Sequence, residues 1–445
     1  MNPVRGGGGP SGSVLSTLGR ALRHRNYRLF FSGQSISLIG TWLTRVATGW
    51  LVYRLTHSAF ALGVVGFVGQ LPTFLLAPFA GVWVDRLNRH RVLVVTQALA
   101  AAQSAALAAL TLGGLITIRD ILLLSAFQGV INAVDMPARQ SFVVEMVEDR
   151  ADLPNAIALN SSMFNGARLV GPSLAGLLIA WVGEGWCFLA DAVSYLAVIA
   201  SLLAMRVPLR AGLRTVGRVL HELREGFQYV AGFTPIRSVL LLLALSGLFG
   251  MPYTVLLPIF AGQVLHGGPH TLGFLMAASG LGALLGALYL ASRRSVLGLG
   301  RLIAAMSGLF GLGLIAFSRS PWLLLSLPLM ALVGMSMMVQ MASSNTILQT
   351  IVDEDKRGRV MSYYAMAFFG SAPLGSFFAG SLASRIGAPD TILCGGVACL
   401  ISAGVFYRHL PALRRAVLPV YRRLGILPGV GPGEPAAPPV VPPEE

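Results

Sequence analysis

Long apolar runs, many of 18 residues or more, recur from about residue 28 to residue 410 of this chain. A run of about 20 such residues crosses the hydrocarbon core of a bilayer as a helix. Inside that core each backbone N–H and C=O must find its partner within the segment, which a helix supplies. The runs therefore predict an all-α, polytopic membrane protein. Only 11% of the 445 residues are charged, against about 25% in soluble proteins. The net charge of +15 would otherwise suggest nucleic acid. Here the charge is parcelled into short segments between apolar runs, so no nucleic-acid partner is expected.

Twelve spans are predicted, at residues 28–53, 60–83, 90–113, 119–138, 155–182 and 185–206, then 236–263, 270–292, 300–318, 321–348, 359–384 and 389–410. They group as an N-terminal six-helix bundle (26–206) and a C-terminal one (236–410). A basic, partly amphipathic cytoplasmic linker (207–235) joins them, and tails at 1–25 and 411–445 are expected to be disordered. With the N-terminus inside, 27 of the 33 Lys and Arg fall in inside segments and four in outside loops, with Arg45 and Arg168 inside helices. The excess of inside charge places both termini in the cytoplasm. No cleavable signal peptide is expected, because the first run is too long and no small-residue cleavage site follows it. Arginine outnumbers lysine 32 to 1, a mark of a GC-rich bacterial genome, so the expected site is a bacterial inner membrane. Cys187, Cys394 and Cys399 all lie in apolar runs without a pairing or metal spacing. No metal and no cofactor are expected.

The connector after the second run reads Gly81-x-x-x-Asp85-Arg86-x-x-Arg89-x-Arg91. Gly81 lets a neighbouring helix approach, Asp85 suits the positive end of a helix, and the arginines hold the loop in the cytoplasm. A weak repeat spans about two hundred residues: Glu145-x-Val147-x-Asp149 echoes Gln349-x-Ile351-x-Asp353, and Gly171-Pro172 echoes Ala372-Pro373. Further landmarks are Asp135-Met136-Pro137-Ala138-Arg139, Leu159-Asn160-Ser161, Asn165, Arg168, Gly176, Arg357-Gly358-Arg359 and Pro373-Leu374-Gly375.

The connector resembles the loop between helices 2 and 3 of the major facilitator superfamily. The landmarks together resemble its branch of enterobactin-exporter and macrolide-efflux-like transporters, over residues 20–410. That resemblance implies the major facilitator fold: twelve transmembrane helices in two pseudo-symmetric bundles around a central site. It implies a secondary transporter exporting small amphipathic molecules, siderophores or drugs, by alternating access with proton antiport. A lysophospholipid flippase of the same fold is the alternative. A membrane-embedded enzyme is the less favoured reading, since no hydrolase or zinc-protease motif is present. The partners expected are a small-molecule substrate, membrane lipids and a coupling proton, and the state expected is a monomer. One departure stands out: Gln128-Gly129 is present, but Ser125 occupies the place where many relatives carry an arginine.

Charge at membrane depth is costly and marks candidate function. By the resemblance, Arg45 and Arg168 face the cavity, with Arg168 near mid-helix. Asp135 reads as a latch partner of Arg86 or Arg139 at the inner gate, with proton carriage as the alternative. Asp85 should face the start of helix 11 near Gly358. Asp191 reads as a structural hydrogen-bond centre or a coupling group. Asn160, Asn165, Tyr253, Gln340 and Asn345 complete the cavity candidates, beside adaptable methionines 330, 335, 337, 338 and 341. Gly171-Pro172 and Pro373 are candidate hinges.

Overall fold

The computed structural model describes residues 19–206, 219–293, 295–354 and 356–426, without the side chains at 77–78, 81–82, 85–86, 219–224 and 369. Twelve long helices follow in order: α1 (Arg25–Thr56), α2 (Ala59–Arg86), α3 (Arg89–Leu112), α4 (Ile118–Met146), α5 (Leu153–Val182) and α6 (Glu184–Leu203). The second half adds α7 (Thr234–Val264), α8 (Pro269–Ala291), α9 (Leu299–Ser318), α10 (Leu323–Ile351), α11 (Arg357–Ile386) and α12 (Ala388–Arg423). Eleven of them are long and apolar enough to cross a membrane. The exception is α1, with 32 residues but with Gln34, Ser37, Thr41, Thr44 and Arg45 in its middle. Gln34 and Ser37 are buried against neighbouring helices rather than offered to lipid.

Helix packing repeats with a shift of six. In the first half α1 packs on α5 and α6, α4 on α2 and α3, and α3 on α6. In the second, α7 packs on α11 and α12, α10 on α8 and α9, and α9 on α12. Two seams join the halves, α2–α11 and α5–α8, and the same shift exchanges them. The architecture is a pair of pseudo-symmetric six-helix bundles.

Both seams are built on glycine. A Cβ on Gly63 of α2 would stand 2.6 Å from the Ser376 carbonyl oxygen and 2.7 Å from Gly380 Cα on α11. A Cβ on Gly176 of α5 would stand 2.7 Å from the Pro269 carbonyl and 3.1 Å from Gly273 Cα on α8. At the same end Gly262 of α7 takes the Tyr53 ring of α1. This is the end the loop charges assign to the outside. Toward the middle, Gly280 faces the Arg168 carbonyl and Gly370 faces Phe74. Among the described residues no glycine contact between the halves lies beyond these. After Gly370, the Ser371–Ile386 part of α11 carries the main packing on α2. The halves close at the outer end and part toward the linker end.

Helix ends fall within about three residues of the predicted ones, with two exceptions. The predicted end of the fourth span at 138 is too early: α4 runs through Pro137 to Met146, because Phe142 and Met146 bury in a core at its inner end. The predicted disordered tail from 411 is corrected in the same way. Helix α12 continues through Pro411 and Pro419 to Arg423, with Leu410, Leu413 and Val417 buried on one face. Arg423 pairs with Asp353 at 2.8 Å. The end of the first tail is also docked: Ala21 is fully buried and its N–H donates to Asn155 Oδ1 at 2.9 Å. Within the linker, residues Val219–Gly232 form a helix held to α11 by a Glu225–Arg359 ion pair at 2.6 Å. Residues 1–18 and 427–445, the rest of the predicted tails, lie outside the described residues.

Candidate functional site

Two arginines embedded in helices lie near one another. Arg45 comes from α1 and Arg168 from α5, and each lies within electrostatic reach of the other. The Arg45 guanidinium stacks over the Trp42 ring, 5.2 Å from its centroid, one turn back on the same helix. A cation over an indole face gains from the ring quadrupole. The Arg45 side chain is exposed and that of Arg168 is half-buried. Among the described residues neither arginine has an acidic partner. From the other half, the Tyr253 hydroxyl also lies within reach of the Arg168 charge. Tyr253 Oη and Ser279 Oγ of α8 are 3.1 Å apart. Groups from α1, α5 and α7, with Ser279 of α8 bonded to Tyr253, thus come together from both halves.

The two acids of the first bundle differ in kind. Asp135 of α4 is buried and fully bonded: Thr96 Oγ1 and Gln97 Nε2 of α3 each donate to Oδ1 at 2.8 Å, and Arg139 pairs with Oδ2. The pair with Arg139 is made within α4, and the other bonds tie α4 to α3, so in this conformation Asp135 braces one bundle internally. Asp191 of α6 is 1% exposed. Its Oδ2 accepts from Thr44 of α1 at 2.7 Å and Ser104 of α3 at 2.8 Å, and its Oδ1 has no partner.

Of the connector motif, the side chains of Gly81, Asp85 and Arg86 lie outside the described residues. Arg89 opens α3 and pairs with Glu145 at the inner end of α4. Asn88 caps α3, accepting from the Arg91 N–H at 3.0 Å, and the Arg91 side chain is exposed. Gly358 has open space around it.

The remaining candidates divide. Gln340 is buried and donates to Ser246 Oγ at 2.8 Å, where α7 loosens into a five-residue π turn (Ser246–Gly250). Such turns often accompany function. Asn345 is half-buried and accepts from Gln349 one turn on. Asn165 donates to the Ser161 carbonyl at 2.9 Å, and Asn160 is half-buried. Met330 and Met337 are buried; Met335, Met338 and Met341 are half-buried. Helix α5 runs unbroken through Pro172, and Gly171 takes the Trp42 side chain at close range. Helix α11 is interrupted at Gly370, one turn before Pro373. Trp42 and Ser279 were not singled out from sequence. The i, i+3 spacing of Trp42 and Arg45 is a readable signal; nothing in the sequence marks Ser279.

A family model described as transmembrane secretion effector matches residues 16–419. The staphyloferrin A transporter of Staphylococcus aureus is 25% identical over 381 residues, covering 85% of this chain and 95% of that protein. The multidrug efflux pump Tap of Mycolicibacterium fortuitum is 29% identical over 388 residues, covering 84% and 93%. Macrolide efflux protein A of Streptococcus pyogenes is 22% identical over 385 residues, covering 84% and 94%. Among solved structures, a bacterial homologue of the iron transporter ferroportin in an inward-facing state aligns with a TM-score of 0.67 at 16% identity, covering 89% of this chain and 99% of that one. A bacterial homologue of the human lysosomal transporter Spinster aligns at 0.66 and 15%, covering 92% and 99%. At these identities the structures show a shared fold.

Proposed function

Since this chain belongs to the transmembrane secretion effector family of the major facilitator superfamily, a family of membrane transporters rather than enzymes, we propose that it exports small amphipathic anions, siderophore-like or drug-like, by alternating access driven by proton antiport. The observation that carries the substrate class is the Arg45–Arg168 pair, embedded in helices and, among the described residues, without an acidic partner. Cations at membrane depth without a counter-charge mark functional sites, and an anionic ligand supplies that counter-charge. Guanidinium groups take carboxylates and phosphates through paired N–H donors. Trp42 and the half-buried methionines of α10 supply apolar surface for the rest of such a molecule.

The relatives named above carry siderophore and drug substrates in their names; none of these three is named for a lipid. The closed outer end and parted inner end suit loading from the cytoplasm, with both termini inside and the protein in a bacterial inner membrane. Rocking of the two bundles about the α2–α11 and α5–α8 seams is the motion that would reverse access. The test is transport into proteoliposomes across an imposed pH gradient, with a siderophore and a drug panel. Uptake stimulated by the gradient and selective for anionic amphiphiles supports the reading. Absence of stimulation at every gradient removes proton antiport, and an Arg168→Ala variant that transports anionic and cationic compounds as the wild type does removes the substrate class.

A further inference from the structure

The first bundle buries two carboxyl groups, and only one of them is dressed as an anion. Asp135 receives an amide, a hydroxyl and a guanidinium. Asp191 is as deeply buried, yet among the described residues no cation pairs with it. Both of its hydrogen bonds fall on Oδ2, from Thr44 and Ser104, and Oδ1 is bare against α1, where a Cβ on Gly40 would come within 2.7 Å of it. A buried anion served by two hydroxyls and one empty oxygen has lost more solvation than its partners return. The neutral acid is better served. Protonated on Oδ2, it donates to one hydroxyl and accepts from the other, and both bonds survive.

The groups facing Asp191 are few. From α1 come Thr44 and Gly40; from α3, Ser104, whose hydroxyl also lies 3.3 Å from Gln103 Oε1; from α6, Ser194 and Tyr195. Tyr195 also senses Asp135 and Arg139, and no base lies among these groups. Thr44 immediately precedes Arg45 on α1. The same turn of helix that reads the state of Asp191 therefore holds one of the two embedded arginines.

We propose that Asp191 is the residue that takes up and gives back the coupling proton. It is neutral in the conformation described. When α1 moves and water reaches the carboxyl, its O–H bond breaks, the proton passes to that water, and the electron pair stays on the carboxylate. The reverse transfer reloads it from the other side. This rests on the proton-coupled reading above.

The experiment compares wild type, Asp191→Asn and Asp191→Glu in proteoliposomes, using an anionic siderophore as probe. With one proton exchanged per substrate, a gradient of one pH unit supports up to about tenfold accumulation by the wild type. Asp191→Asn should show no accumulation beyond the ungradiented level while keeping substrate-for-substrate exchange, which moves no proton. Asp191→Glu should keep part of the stimulation. In infrared spectra the carbonyl band of a protonated carboxyl should be present in the wild type at neutral pH, shifted in Asp191→Glu and missing in Asp191→Asn. If Asp191→Asn does not fold, the Asp191→Glu band shift decides. A wild type with no gradient stimulation overturns the coupling reading together with this assignment. A stimulated wild type matched by an equally stimulated Asp191→Asn, or an infrared band unmoved by Asp191→Glu, overturns the assignment alone.

Discussion

Gly63→Ala is the sharpest test of how the halves move. The new methyl group would meet the Ser376 carbonyl at 2.6 Å and Gly380 Cα at 2.7 Å. Both are backbone atoms, so no side-chain rotation relieves the clash, and the α2–α11 seam must part. Overpacking of this kind costs about 1–3 kcal/mol. The same methyl raises helix propensity by about 1 kcal/mol, but in both conformations alike, so that gain cancels. If the seam opens at its outer end in the alternative state, the penalty falls only on the conformation described here. The equilibrium then shifts toward the outward-open form by about 5- to 150-fold, at 1.4 kcal/mol per factor of ten. The shift is read by pulsed electron spin resonance in a cysteine-free background. One label pair sits at Leu115 and Trp322, exposed outer positions of the two halves; another sits at Glu148 and Glu354 on the inner side, both exposed. The outer distance should lengthen and the inner one shorten. Gly166→Ala on α5, which has nothing within 4 Å of its Cβ, is the control and should shift neither. Unchanged distances in Gly63→Ala, or an equal response in the control, would refute a rocking motion about this seam.

Arg168→Ala and Arg45→Ala should each remove a charge-assisted contact of about 1.5–3 kcal/mol, raising the half-saturating concentration of an anionic substrate by about 10- to 150-fold. Neutral substrates measured in the same vesicles should be little affected. Asp135→Ala strands Arg139, whose side chain is 27% exposed; the loss should sit near the low end of the 3–5 kcal/mol range for a broken buried pair, about 3 kcal/mol, seen as a lower melting temperature in detergent. Cutting the chain after residue 410 removes Leu413 and Val417, 5% and 8% exposed; at about 1.5–3 kcal/mol per buried side chain the C-terminal bundle should lose about 3–6 kcal/mol.

The spans were legible because length and apolarity alone set them, and the pseudo-symmetry because the repeated landmarks fall half a chain apart. The embedded arginines were legible for the same reason in reverse: a charge inside an apolar run has few reasons to be there. What the sequence hides is rotation about each helix axis. Gln340 reads as a cavity residue, but the π turn at Ser246–Gly250 brings Ser246 against it and the amide is consumed there. Tyr253 likewise spends its hydroxyl on Ser279 and is buried. The contrast between Asp135 and Asp191 depends on which residues of α1, α3 and α4 face inward, and single-helix periodicity says nothing of that. The extension of α12 was partly readable. Pro411 and Pro419 signal an end, yet Leu410, Leu413 and Val417 keep the three-and-four spacing of a helix with one buried face.

The chemistry of the contacts assigns rigidity and motion to different places. Within the first bundle, directional bonds join neighbours: Thr44 and Ser104 to Asp191, Thr96 and Gln97 to Asp135, Arg89 to Glu145. Parting these helices would leave buried polar groups unpaired, at about 1–3 kcal/mol each. Within the second bundle, α8 and α10 meet backbone to backbone where Gly282 faces Ala331 and Gly334 faces Ser279. Among the described residues the seam contacts named between the halves include no side-chain hydrogen bond: they are glycine against backbone, and rings such as Phe60 and Phe67 on Phe377. Dispersion contacts of this kind are individually about 0.1–0.2 kcal/mol and fade within an ångström of separation. They leave no orphaned donor behind when they open. A first bundle tied by directional bonds, beside seams that show none among the described residues, is expected to yield at the seams first.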